Sequence, residues 1–434
     1  MSRDARALRP SHSAASMKMP RAAAADADAA AALRLRPRGS NQIGMRQFNE
    51  RVVLQAIRLH GALPQADIAR LTHLTAQTVS LIIARLEGDG LLLRLEPLRG
   101  KVGQPSVPIA LNPDGAFSIG LKIGRRGMDA LLLDFTGGVR ERLSLAYPFP
   151  DPDTLFDEIG ARLRLLRKTL KPALRERLHG VGIAAPLSLG GWQQLLGIDP
   201  ALAEKWHRID IRERVAALPA SAGLPVEFAK DSAAACVAEL VAGQGRNIRN
   251  FLYLFVDTFI GGGLVLDSHL RGGSAGNAGA VGSLPLGLSD ADPSRLPSQL
   301  LSKASLWNLE ALYAKGGLDV GAWADARATQ DPWRPWTLGW LREACPAIAL
   351  AGNSAACLLD LDAVIIDGSF SRELLAELLA ATAQALDRYD WEGVARPALL
   401  AGTIGSDARA MGGALLPLYA NFAPDRDLFL KLAP

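Results

Sequence analysis

From Met45 the apolar residues fall into helical spacing. Val52, Val53, Ala56 and Ile57 share one face of a first helix. Ile68 and Leu71 mark a second, which is expected to begin at Pro64, a residue suited to a first helical turn. In TAQTVSLIIARLEGDG, Val79, Ile82, Ile83 and Leu86 stand at i, i+3, i+4 and i+7, the signature of one buried stripe. Gln77, Thr78, Ser80, Ala84 and Arg85 fall on the opposite side, and Thr75 is placed to cap the helix. LLLRLE and VPIALN then read as strands joined by the loop PLRGKVGQPS. A short helix, a tight turn at Thr72-His73-Leu74, a helix with a polar outer N-terminal half and a wing predict a winged helix-turn-helix over residues 43–113.

After Asn112-Pro113 the pattern becomes α/β. Phe117–Ile123 and Met128–Phe135 read as a hairpin around Arg125-Arg126-Gly127, followed by a strand over Arg142–Tyr147 and a helix over Asp153–Leu170. HGVGIAAPLSL and PVEFAKD add strands, and SAAACVAELVAG a helix. FLYLFVDTFIGGGLVL then restarts the series with two strands around a glycine-containing turn, followed by DAVIIDG, a helix, PALLAGT and a final helix. Two rounds of hairpin-started sheet with helices predict a two-lobed α/β body over residues 114–434. Its lobe boundary falls near residue 230, and a cleft separates the lobes.

Charge sharpens this division. Residues 1–115 hold 16 Lys and Arg against 9 Asp and Glu, whereas the remainder holds 32 against 35. A basic front end on a mildly acidic body points to a nucleic-acid contact confined to the N-terminal part. Residues 1–42, including AAAADADAAAALRLRPRGS, read as a disordered Ala- and Arg-rich tail. The chain has no apolar run long enough for a transmembrane helix and no signal-peptide pattern, and Cys236, Cys345 and Cys357 lie scattered in apolar, helix-like contexts. Those features lead us to expect buried thiols in a cytoplasmic protein with no membrane contact.

Gln77, Thr78, Ser80 and Arg85 are the candidate base- or phosphate-contacting residues of the third helix, since Gln pairs with adenine and Arg with guanine in a major groove. Arg99, Lys101 and Gln104 belong to the wing, where Arg99 and Lys101 suit phosphates or a minor groove.

Several segments together carry a resemblance: TAQTVSLIIARLEGDGLL, GVGIAAP, FAKDSAAACVAE, DTFIGGGLVLDSHLRGGSAGNAGAVGS, AVIIDGSFSRELL and GTIGSDARAMGGALLPL. In this order over residues 45–420 the chain resembles the ROK family (repressors, open reading frames and sugar kinases) in its regulator form. The resemblance implies an actin-like, ribonuclease H-like sugar-kinase fold. It also implies a homodimer or tetramer acting on a double-stranded DNA operator, and sensing of a sugar or sugar derivative.

The departures from the kinase pattern are specific. Lys122 stands where family kinases carry an aspartate, and Gly124-Arg125-Arg126 replaces the small phosphate turn. Ala229-Lys230-Asp231 replaces Glu-Asn-Asp, so Asp231 alone matches the family's general base. The second phosphate loop keeps Gly261, Gly262 and Gly263, which a hairpin turn explains equally well. Ala280-Val281-Gly282-Ser283 replaces the zinc-linked Glu-X-Gly-His, and LPLGLSDADPSRLPSQLL stands in place of the cysteine-rich segment. Hence no zinc and no cofactor are expected. Asp231, Lys230 and Asn277 are the candidate effector contacts, and no residue is assigned a catalytic role. The alternative is a residual sugar kinase with Asp231 as base.

Overall fold

The structure is a computed structural model that describes residues 42–97, 107–191, 193–288 and 296–424. Its backbone separates into two units, residues 1–48 and residues 49–434, and every strand and all helices after the first belong to the second. The expected tail lies almost wholly outside the described residues, as do the wing positions Arg99, Lys101 and Gln104.

Helix α1 (Gln42–His60) is followed by strand β1 (Leu63–Pro64), α2 (Gln65–Thr72), α3 (Ala76–Gly88), β2 (Leu92–Arg94) and β3 (Pro108–Leu111). Pro64 pairs with Pro108 in the sheet, so α2 starts one residue later than expected. The order β1-β3-β2 makes the small sheet of a winged helix. His73 takes a left-handed backbone (φ 55°) that ends α2, and Gln65 Nε2 donates to Ala76 O at 3.2 Å, fixing the turn into α3. Val79, Ile82, Ile83 and Leu86 are buried against Val53, Ile57 and Ile68, as their spacing requires.

The body contains two sheets of one plan. The first comprises β4 (Phe117–Ile123), β5 (Gly127–Asp134), β6 (Val139–Ala146), β7 (Leu178–Ala185) and β8 (Val226–Lys230), in the order β6-β5-β4-β7-β8, with α4 (Pro152–Thr169) on one face. After Lys230 the chain enters α5 (Asp231–Ala242) and crosses to the second sheet. There β9 (Phe251–Val256), β10 (Gly261–Leu266) and β11 (His269–Arg271) are followed by α6 (Leu306–Lys315), α7 (Arg334–Leu359), β12 (Ala363–Gly368), α8 (Arg372–Leu386) and β13 (Ala398–Ala401). The second order is β11-β10-β9-β12-β13. In each sheet an antiparallel triplet continues into two parallel strands. The body is thus the expected two-lobed α/β fold.

The last helix, α9 (Ala408–Phe422), returns to the first lobe and packs on β4, β7 and α5. Small residues let it approach closely. A Cβ on Gly412 would sit 1.7 Å from Ala234 O, one on Gly182 1.8 Å from Gly413 O, and one on Gly120 2.0 Å from Ala410 O. The far end of α9 reaches the winged helix. Leu418 joins the cluster of Val53, Ile57 and Ile109, Phe422 meets Phe135 edge-on at 4.8 Å, and the Arg58 guanidinium lies over the rings of Phe135 and Tyr419. One helix therefore touches the cleft at its start and the winged helix at its end.

Cys236 and Cys345 are buried, but Cys357 is exposed. The apolar context around Cys357 misleads because the last turn of α7 leaves the core, with Leu358 81% exposed beside it.

Candidate functional site

Two sites emerge, the outer face of α3 and the cleft between the lobes. On α3, Thr75 Oγ1 accepts the Thr78 N–H at 3.2 Å, so the helix is capped as its sequence predicts, and the remaining N-terminal donors and positive helix end point outward. Gln77, Ser80 and Arg85 are exposed, and Thr78 is half-buried, its hydroxyl paired with Thr75 Oγ1 at 2.8 Å. Arg85 forms an ion pair with Glu50, which steadies the guanidinium and competes with any outside partner. Leu81 is 63% exposed among these polar residues. Sequence reasoning passed over it because apolar residues were assigned to the stripe.

In the cleft, β4 and β5 carry the hairpin turn with Arg125 and Arg126. Arg125 Nη2 donates to Ser188 O at 3.1 Å, and its guanidinium lies 5.1 Å over the ring of Phe259, in the expected phosphate loop. Burial lowers the Arg125 pKa, and the carboxylates of Asp231 and Asp257 act against that shift, which places both acids around this guanidinium. Arg126 pairs across the cleft with Glu310, a residue 6% exposed on α6 that also accepts from Trp323 Nε1 at 3.1 Å. The same guanidinium lies 5.4 Å over the Trp307 ring.

Behind this pair sits a second layer of charge. Arg409, on the first turn of α9, pairs with Asp257, and Lys122 pairs with Asp129 at 3.3 Å. Burial raises the Asp257 carboxyl, but Arg409 and Lys122 outweigh it and hold the pKa below the usual range. Burial, followed by the neighbouring Arg409, lowers the Lys122 pKa. In β12, Asp367 is wholly buried, pairs with Arg372 at 3.0 Å and accepts the Gly405 N–H at 2.7 Å, while Ser371 caps α8.

The candidate effector residues converge in part. Lys230 Nζ donates to Asn277 Oδ1 at 2.7 Å, although 47 positions separate them in sequence. Asp231 begins α5 and accepts the Ser232 N–H at 2.8 Å. Gly261, Gly262 and Gly263 do not form a loop: they start β10 and pair with Phe255, Leu254 and Tyr253. Cβ atoms on Gly261 and Gly263 would stand 2.9 and 2.5 Å from Cβ atoms of Ser232 and Cys236, so close packing of β10 on α5 accounts for these glycines. Asp257–Ile260 makes the turn.

A cavity of about 320 Å³ remains between the lobes, lined on one side by Arg125, Arg126, Phe149 and Ile198 and on the other by Thr258 and Trp307. It has the size of a small-ligand site. Asp257, Arg409, Glu310 and Trp307 were not foreseen as site residues. Phe259, just before the Gly261–Gly263 run, was a visible signal, because a bulky ring in that turn is incompatible with close phosphate approach. Among the described residues no cluster of His, Cys, Asp or Glu is placed to hold a metal ion. No helix among them is long and apolar enough to cross a membrane.

Residues 118–295 match the ROK family and residues 49–98 the MarR family. The xylose repressor of Bacillus spizizenii is 23% identical over 251 residues, 57% of this chain and 62% of the repressor, so the match spans less than two thirds of that protein. The crystal structure of a ROK family transcriptional regulator, a homologue of the E. coli MLC protein, superposes with a TM-score of 0.62 at 18% identity, covering 88% of this chain and 98% of the other. A ROK family glucokinase from Streptomyces griseus, in complex with glucose and AMPPNP, gives 0.54 at 20% identity over 69% and 99%. The fold is thus shared with regulators and sugar kinases alike, while the named sequence relative is a repressor. The chain therefore joins a MarR-type winged helix over residues 49–98 to a ROK family domain over residues 118–295, and is homologous to the xylose repressor.

Proposed function

We propose that this protein is a cytoplasmic DNA-binding transcriptional repressor whose ROK domain binds a sugar or sugar derivative between its lobes and does not phosphorylate it. The observation that carries this reading is that the turn of the first hairpin holds two arginines engaged by the protein's own groups, where a small phosphate turn would be needed. Arg125 stacks on Phe259, Arg126 pairs with Glu310, and Arg409 with Asp257 behind them. Phosphoryl transfer depends on positioning and on charge stabilisation around a cradled phosphate; here arginine side chains occupy the turn that should make that cradle.

Asp231, Lys230 and Asn277 supply acceptors and a donor for hydroxyl groups, and the Arg125–Arg126 edge suits an anionic or strongly polar substituent. A ligand that binds the closed lobes more tightly than the open ones shifts their spacing. Because α9 pairs with Asp257 at one end and seats the winged helix at the other, that shift would move the DNA-binding domain. Two copies presenting two recognition helices would gain affinity on a repeated operator, so we infer a homodimer or a dimer of dimers. Sedimentation that shows a stable monomer with full DNA affinity contradicts this assembly.

Selection of bound fragments from a genomic library, repeated with candidate sugars, tests the reading. On the selected operator, Gln77→Ala is expected to cost about 1–3 kcal/mol and relax preference at one base position. Changing Arg99 or Lys101 should weaken all sequences alike and flatten the salt dependence. Unchanged affinity and preference for Gln77→Ala would remove α3 from the groove.

A further inference from the structure

On the reading that places α3 in a major groove, we propose that Leu81 is a specificity-determining residue of the DNA interface and recognises the 5-methyl group of a thymine. It adds apolar recognition to the hydrogen bonds expected of Gln77, Ser80 and Arg85.

Its place on the helix, more than its exposure, points to this role, since single exposed leucines are common on protein surfaces. Leu81 stands four residues after Gln77 and four before Arg85, in the middle of the face that those side chains share. It takes no part in holding the winged helix together. The buried stripe is complete in Val79, Ile82, Ile83 and Leu86, each no more than 4% exposed, and Leu81 points away from it. Its neighbours on the outer face, Ser80 and Ala84, are exposed and short, so the branched leucine side chain stands out beyond them. Arg85, the longest side chain of that face, is drawn aside to Glu50 on α1. A base edge that meets the centre of α3 therefore meets Leu81.

The chemistry of the groove then selects the partner. Base edges in a major groove present hydrogen-bond donors and acceptors and one apolar group, the thymine methyl. Leucine pressed on a polar edge strips a donor or acceptor of water and offers nothing in return, which costs affinity. Against the methyl it removes apolar surface on both sides from water. Leu81 thus favours a T·A pair by attraction and penalises the others, and 5-methylcytosine satisfies the same contact where cytosine does not.

The test uses the full chain and the operator selected from the genomic library. Each thymine is replaced in turn by deoxyuridine, which lacks only the methyl and pairs as before. At least one position is expected to lose about fourfold in affinity, the worth of one buried methyl-sized group. In Leu81→Ala, whose melting temperature should be unchanged because the residue is exposed, the same replacement should be neutral. With cytosine at that position, 5-methylation should recover a similar factor for the wild-type chain and not for Leu81→Ala. Deoxyuridine that is neutral at every thymine overturns the proposal, and so does a loss of the same size in Leu81→Ala. Failure of the groove placement itself shows separately, as Gln77→Ala with unchanged affinity and preference, and takes the role of Leu81 with it.

Discussion

Arg409→Met is expected to lower the unfolding free energy by about 3 kcal/mol at neutral pH, the lower end of the range for breaking a buried ion pair. Arg409 is 7% and Asp257 18% exposed at the side chain, so removing the guanidinium strands a carboxylate with little access to water. Methionine keeps the apolar contact with Phe255, over which the guanidinium now lies, so the loss reads the charge and not the packing. Lys122 sets the lower figure, since it already acts on Asp257 and remains to offset part of the loss. The sign with pH follows from the depressed Asp257 pKa. Its contribution is complete above the unfolded carboxyl value of about 3.9 and is lost as pH falls through the folded value. Urea titrations of both proteins should therefore differ most at neutral pH and converge in acid. A difference below about 1 kcal/mol at neutral pH would mean that the pair is held as loosely as a surface one. If the cleft signals through α9, the same substitution also uncouples them, so operator affinity without ligand should persist while the response to ligand fades.

Gly412→Ala should be at least as damaging, by about 3 kcal/mol or more. The added methyl would lie 1.7 Å from Ala234 O, and its obstacle is the backbone of α5, which no side-chain rotation can clear. α5 and α9 must separate, and these helices join the lobes to each other and to the winged helix. Gly88→Ala, at the last residue of α3, is the control: nothing lies within 4 Å of the added carbon, and the change should be neutral or slightly stabilising. Equal effects at the two positions would be incompatible with the packing of α9 on α5.

The winged helix and both sheets were legible because their apolar periods are local. Val79, Ile82, Ile83 and Leu86 fix the face of α3 by spacing alone, and the hairpin of β4 and β5 follows from alternation and a short turn. The cleft was legible only in outline. Lys122, Arg125 and Arg126 announced that the phosphate turn had changed, but nothing near Glu310 in sequence says that it will meet Arg126, 184 positions away. Arg409 likewise meets Asp257 only through the tertiary fold, 152 positions (409 − 257) along the chain. Gly261–Gly263 show the opposite case: a visible motif whose local explanation, packing of β10 against Ser232 and Cys236, suffices. Long-range ion pairs are set by topology, which periodicity does not encode.

A cleft that senses a ligand without phosphorylating it has two properties, and a single titration reads both. The selected operator, fluorescently labelled, is titrated with protein in the presence of magnesium, ATP and each of a panel of sugars, while ADP is followed in the same sample. At least one sugar should change operator affinity with no ADP formed, and Asp231→Asn should lose this response while keeping ligand-free DNA binding. Sustained ADP formation that Asp231→Asn abolishes, or operator affinity indifferent to every sugar, would overturn the sensor reading.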